Sequence, residues 1–190
     1  MLNSELSKQL SAIALLVCVV VACKSFRTLG TPRVFKSRDG KFQLTVPADW
    51  AEAPSLNDQA DISGANRPKE LYAFALIESK SDFPKGMTLD TFTDITRSST
   101  MSKMTVTESP LPEKITINGY EARQYRLQGT KDDLKVVYLI TTVETPDHFS
   151  QIYSWTEPSR LNENQLILKQ VASSFRPVSD TGPGTSPASP

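Results

Sequence analysis

The sequence predicts an α+β fold, a mostly antiparallel sheet with helices packed on it, and three observations carry that expectation. Asp39-Gly40 and Asn118-Gly119 each stand between strand-like runs, which is the pattern of a tight hairpin turn. Four strand-like runs follow one another between Glu113 and Thr156 with connections of two to five residues, too short for anything but antiparallel neighbours. Two stretches, around Leu89 and around Leu168, repeat apolar residues at helical spacing. One helix is therefore inserted and one is terminal, unlike the strict alternation of a parallel βαβ sheet.

Taken in order, Val34–Ser37 and Phe42–Val46 form the first hairpin, with Phe42, Leu44 and Val46 on one face. Pro47 ends the second strand, and Trp50 follows as a ring available to plug the core. Residues 55–69 are polar and read as a long loop with at most a helical turn. Leu71–Glu78 is a nearly unbroken apolar run, hence a strand covered on both faces or central in the sheet. Residues 88–104 form the first helix, with Leu89, Phe92, Ile95 and Ser99 on its inner side and Thr88 or Asp90 serving its first turn. Residues 107–112 break the pattern. Glu113–Ile117, Tyr120–Gln128, Leu134–Val143 and Phe149–Thr156 are the meander, and residues 129–133 make its second turn. The last helix runs from Ser159 or Asn162 to Phe175, with Leu161, Leu168, Val171, Ala172 and Phe175 inward, and Pro177 stops it.

The chain has 190 residues, with 21 Lys and Arg against 21 Asp and Glu. This balance offers no field to hold polyanionic nucleic acid, so no nucleic-acid partner is expected. Two cysteines are too few for a disulfide scaffold or a four-thiolate zinc site. Leu10 to Cys23 reads LSAIALLVCVVVAC without a charge, 14 residues that suit a secretory leader but fall short of the roughly 20 needed to span a bilayer. The run ends in Val20-Val21-Ala22-Cys23, which resembles the lipobox of bacterial lipoproteins. A small Ala admits the peptidase to the bond, and the thiol accepts a diacylglyceryl group. The resemblance implies cleavage before Cys23 and acylation of its sulfur and of the new N-terminus. An ordinary leader, or an uncleaved anchor with Cys23 incidental, is the alternative. The expected organisation is a leader over 1–22, a linker over 23–32, a folded domain over 33–177 and a Pro/Gly/Ser tail over 178–190, too poor in apolar residues to offset its own ordering entropy.

Beyond the order of elements, the chain carries Phe42-Gln43-Leu44-Thr45-Val46-Pro47-Ala48-Asp49-Trp50, Thr88-Leu89-Asp90-Thr91-Phe92 and Ile117-Asn118-Gly119-Tyr120-Glu121-Ala122, and closes with Val171-Ala172-Ser173-Ser174-Phe175. With these it resembles the PsbP-like fold, shared by photosystem II extrinsic proteins, bacterial lipoproteins of the DcrB type and a eukaryotic Ran-binding import factor. The resemblance implies an α/β/α sandwich and a protein that works by docking on others.

Chemistry is sparse in the sequence. No nucleophile elbow, P-loop, dinucleotide fingerprint or paired-histidine zinc motif is present. His148 is the single histidine and sits in an expected turn beside Asp147. Asp132-Asp133 falls in another turn, where Asp is favoured for backbone reasons. Asp90 and Asp94 share a helix face, and Arg97 can pair with either. Arg123, Arg126 and Lys114 are interleaved with Glu113 and Glu121. No catalytic residue, metal ligand or cofactor is assigned, and Cys23 is the one modification site. Tyr72, Phe74, Tyr120, Tyr125, Tyr138 and Tyr153, together with Trp155, either fill the core or form a carbohydrate or ligand surface. Two functions follow. The first is a non-enzymatic lipoprotein at the cell envelope, exported and held to the membrane through Cys23, that binds or assembles with an envelope protein. The alternative is a small-ligand or lipid-binding protein, or a cryptic hydrolase, with its site between sheet and helices.

Overall fold

The structure is a computed structural model that describes residues 30–178. The expected leader, Cys23, most of the expected linker and the expected tail from residue 179 lie outside the described residues. From Pro32 the chain forms one compact unit.

Among the described residues that unit has eleven strands and two helices. Strand β1 (Arg33–Lys36) turns through Asp39-Gly40 into β2 (Phe42–Val46), and β11 (Arg176–Pro177) pairs on the other side of β2 to give a small three-stranded sheet. The main sheet has eight strands. β3 (Ala51–Glu52), β4 (Ile62–Asn66) and β5 (Leu71–Ser79) occupy one side, and β10 (His148–Thr156), β9 (Leu134–Glu144) and β8 (Tyr120–Lys131) continue from β5. The long strand β8 carries two short partners on its far edge, β6 (Thr105–Glu108) and β7 (Glu113–Ile117). Every strand pair among the described residues is antiparallel.

Helix α1 (Leu89–Met101) and helix α2 (Leu161–Ser173) cover opposite faces of the main sheet. The parity of β10 shows this: Ile152 joins a cluster with Leu168, Val171 and Ala172 of α2, while Phe149, three residues away and on the other face, joins Leu89 and Phe92 of α1. The small sheet adds Phe35, Phe42, Leu44 and Val46 to the α2 side, where Trp50 and Phe175 are also fully enclosed. The predicted α+β class and the α/β/α layering both hold.

Four expectations change. Residues 55–69 contain a strand, β4, between single 3-10 turns at Pro54–Leu56 and Arg67–Lys69. Ile-Ser-Gly-Ala-Asn has little strand propensity, but Gly64 lies against the Phe35 ring, and a Cβ there would come within 2.6 Å of it. The small residue is what lets the two sheets approach. The inner stripe of α1 is Leu89, Phe92, Thr93 and Thr96, and Ile95 is 52% exposed. Two threonines replace apolar residues there, and Thr93 Oγ1 satisfies itself on Leu89 O (2.7 Å) and Thr142 Oγ1 (2.6 Å). The helix stops at Met101, short of the expected residue 104, and strand β6 runs into the break expected over 107–112. The turn expected over 129–133 narrows to Asp132-Asp133, both at positive φ, so β8 and β9 run on to the tip of a tight hairpin. Asn118-Gly119 makes the predicted turn, with φ of 49° and 87°.

Candidate functional site

The face of the main sheet under α1 is only half covered. On β10 the residues of that face are Phe149, Gln151, Tyr153 and Trp155, and their partners on β5 are Glu78, Leu76, Phe74 and Tyr72. The first turns of α1 close over Phe149, which stacks on Phe92 at 4.8 Å. The helix ends near Tyr153, where Thr100 Oγ1 lies 2.9 Å from the phenol oxygen. Beyond that point no helix among the described residues covers the face. Tyr72, Phe74, Tyr138, Tyr153 and Trp155 form the floor of a cleft, all but Tyr138 half-buried.

The rings are organised as cross-strand pairs. Tyr72 stacks on Trp155 at 5.2 Å and 16°, and Phe74 stacks on Tyr153 at 4.8 Å and 24°. Tyr138 reaches Trp155 from β9 at 5.7 Å. Each such pair adds about 0.5–1.5 kcal/mol beyond its buried area. Polar contacts at the edges fix the rings. Tyr72 donates to Glu70 Oε2 at 2.9 Å. Tyr153 donates to Gln151 Oε1 at 3.2 Å, and Gln151 Nε2 in turn donates to Glu78 at 2.8 Å. Burial raises the Tyr153 phenol and pushes Tyr138 up to about 12. Burial, and then the bond to the Glu70 carboxylate, raises Tyr72. The cleft floor is therefore neutral at ordinary pH and offers hydroxyl groups and ring faces.

Two adjoining depressions divide the cleft, one of about 740 Å³ and one of about 400 Å³, and they share Leu56, Lys131 and Tyr138. The β8–β9 hairpin tip bounds the first, with Asp132, Asp133 and Lys135 on its rim beside Glu70 and Glu157. The second lies between the 57–59 loop and the end of α1, which supplies Ser99 and Thr100, with Lys103 from the turn that follows. The rim thus carries both signs of charge, and Asp132, Asp133, Lys135 and Glu157 are exposed. A smaller groove of about 260 Å³ runs between α2 and strands β8 and β9. This is where the expected site between sheet and helix falls; the only carboxylate lining it is Glu113, so it brings no carboxylate pair together.

The remaining candidates take structural places. His148 opens β10, half-buried, with its ring edge-on to Phe42 at 5.1 Å. Asp90 pairs with Arg123 at 2.6 Å, not with Arg97, because α1 lies across β8 and the buried guanidinium is the nearer partner. Arg97 donates instead to Ser109 O at 3.1 Å. The Arg123 contact holds the Asp90 carboxyl below its ordinary range despite some desolvation. Arg126 pairs with Glu108. Tyr125 is buried on the same face beneath α1, its phenol pushed up by burial, and Tyr120 packs on the α2 side. Among the described residues no group of three or more His, Cys, Asp or Glu side chains could hold a metal ion, and no helix is long and apolar enough to cross a membrane. Cys23 lies outside the described residues. The sequence reading missed the cleft walls, Leu56, Gln59 and Lys131. The available signal was parity: Tyr72 and Phe74 alternate on one strand as Tyr153 and Trp155 do on another.

No family model and no curated protein matches this chain. Solved structures do. Cyanobacterial PsbP (CyanoP) from Synechocystis sp. PCC 6803 superposes with a TM-score of 0.54 at 14% identity, over 82% of this chain and 97% of that one. LpqN of Mycobacterium tuberculosis superposes with a TM-score of 0.59 at 12% identity, over 78% of this chain and 91% of that one. Identities this low speak for architecture alone, and in architecture this chain has the PsbP-like fold.

Proposed function

We propose that this chain is an exported lipoprotein of the cell envelope, anchored through an acylated Cys23, whose folded domain acts without catalysis as a binding and assembly factor for an envelope protein. The single observation that carries the binding role is the uncovered aromatic half of the α1 face. Five rings are held in place there by stacking and by hydrogen bonds at their edges, yet no helix among the described residues encloses them. Tyr and Trp are the side chains most enriched where contacts dominate binding energy, since they bring large area with few rotors. The rim carboxylates stand in turns and at solvent-facing positions rather than on the floor, which suits recognition better than proton transfer.

The anchor is supported by the apolar run ending in Val20-Val21-Ala22-Cys23, and by the likeness to LpqN, a protein involved in cell envelope biogenesis. Nine residues separate Cys23 from β1, so the domain would stand within about 30 Å of the membrane. Cys23→Ala is expected to move the protein from the membrane pellet to the soluble fraction; a variant that still pellets with membranes refutes the anchor. For the binding role, a photo-crosslinking residue placed at Leu134, 71% exposed on the cleft mouth, should give a discrete adduct in intact cells that Trp155→Ala abolishes. An adduct indifferent to Trp155 places the interface elsewhere. A second reading, in which the cleft holds a small ligand, is favoured by its concavity and its size, which is that of a small-molecule site.

A further inference from the structure

We propose that the aromatic cleft binds a neutral glycan, a short run of pyranose sugars. This rests on the second reading above and names its ligand. A pyranose is amphiphilic in a particular way: its ring faces present C–H groups and its perimeter presents hydroxyls. The cleft has the complementary arrangement. Its floor is made of Tyr72, Trp155, Phe74, Tyr153 and Tyr138, a rigid apolar surface against which C–H groups can pack.

The rim supplies both hydrogen-bonding roles. Glu70, Asp132, Asp133 and Glu157 accept, and Lys131 and Lys135 donate, all around one mouth. Hydroxyls use both. An anionic ligand would meet the four carboxylates, and a cationic one the two ammonium groups, whereas an uncharged polyol meets no like charge. An acyl chain fits worse, because it would have to lie beneath a ring of charged side chains and leave their shell of water disturbed. The two depressions meet at Leu56, Lys131 and Tyr138, and the second adds the Phe74 and Tyr153 rings with Gln59 and Lys103. That extension gives room for successive sugar units rather than one.

The chain contains its own reporter. It has two tryptophans; Trp50 is 1% exposed in the core on the α2 side, so a ligand-induced change in tryptophan emission reports Trp155. The full-length protein, kept in a detergent without a sugar headgroup, would be titrated with chitotriose, maltotriose and cellotriose up to about 10 mM, the range where weak glycan binding shows. At least one is expected to give a saturable shift that Trp155→Phe abolishes. Tyr72→Ala should weaken that response about tenfold. Lys135→Ala, at an exposed hairpin position that cannot unfold the domain, should weaken it about threefold. Leu111→Ala, far from the cleft, should leave it unchanged. The proposal falls if none of the three trisaccharides shifts the emission, or if Tyr72→Ala and Lys135→Ala both respond as the parent does. A response to tetralysine or to oleate with none to the sugars also overturns it, and assigns the cleft to a cationic peptide or an acyl chain. If the sugars fail while the Leu134 crosslink still depends on Trp155, the glycan is wrong and the protein-binding reading stands.

Discussion

The two faces of the main sheet are built from the same strands and treated differently. On β10 the face under α2 carries Ser150, Ile152, Ser154 and Thr156, and the face under α1 carries Phe149, Gln151, Tyr153 and Trp155. Each helix is 13 residues long, yet α2 with the small sheet covers its side apart from the groove beside β8 and β9, while α1 leaves half of its side open. Small residues let α2 settle close to the strands, as Ala73, Ala75 and Ala122 also do, and the resulting layer is fully enclosed. Large rings on the other face stand too high for that, and where α1 ends they are left as a surface. The first face sets the stability of the fold, and the second is available for recognition.

The sharpest way to break this comparison is to delete one ring from each side. Phe175 is fully buried against Phe42 at 5.6 Å, and Phe175→Ala should cost about 3–5 kcal/mol of unfolding free energy in urea. Trp155→Ala removes a larger ring that is half-exposed, and should cost only about 1–2 kcal/mol. Equal costs would mean that the aromatic face is core, and the cleft would lose its meaning. Gly64→Ala comes next. The added methyl meets the buried Phe35 ring, so the small sheet must shift, at about 1–3 kcal/mol. A neutral result would show that the two sheets are loosely joined and that the α2 side is less rigid than described.

Much of this division could be read from the sequence, and the failures have a common cause. Hairpins with Asp-Gly and Asn-Gly were legible because positive φ at Gly40, Asn118 and Gly119 restricts the residues allowed there. Leu168, Val171, Ala172 and Phe175 were legible because their apolar spacing follows the helical period, even though Asn164 is buried on the same helix and Leu166 is exposed. β4 was not, since its identity comes from its pairing with β5 and from the space that Gly64 leaves, neither of which is local. Ile95 misled for a related reason: Thr93 and Thr96 turn inward, Thr93 with its hydroxyl bonded to Leu89 O and Thr142 Oγ1 and Thr96 with a buried hydroxyl that has no partner among the described residues, so the buried stripe of α1 is not its most apolar one. The aromatics were visible as a group, but which of them face solvent depends on where α1 stops.

How α1 is held can be tested through pH. Asp90 has its carboxyl lowered by the hydrogen bond from Arg123 Nε, so the folded state binds that proton less readily than the unfolded chain does. The stabilisation is complete above the unfolded carboxyl pKa of about 4 and is lost as pH falls through the lower folded value. Asp90→Asn should therefore be less stable than the parent at pH 7, and the two should converge on acidification. Parallel pH profiles would mean that the ion pair does not hold the helix, and that its apolar stripe does so alone.

The smallest expected effect probes why the α2 face is made of small residues at all. Ser154 is completely buried between Ala73 and Leu139, and its hydroxyl has no partner among the described residues; Ser150 is in the same position. A buried hydroxyl left unbonded costs about 1–3 kcal/mol, so hydrogen bonding cannot be what Ser154 contributes. Size is the remaining reason. Ser154→Ala keeps the size and removes the unpaired oxygen, and should be neutral or raise stability by up to about 1 kcal/mol. Ser154→Val adds volume under α2 and should destabilise by about 1–3 kcal/mol, with the helix displaced from the sheet. A clear loss in Ser154→Ala would mean that the hydroxyl is bonded in solution. Smallness would then no longer explain this face, and its contrast with the ring-bearing side would have to rest on α1 alone.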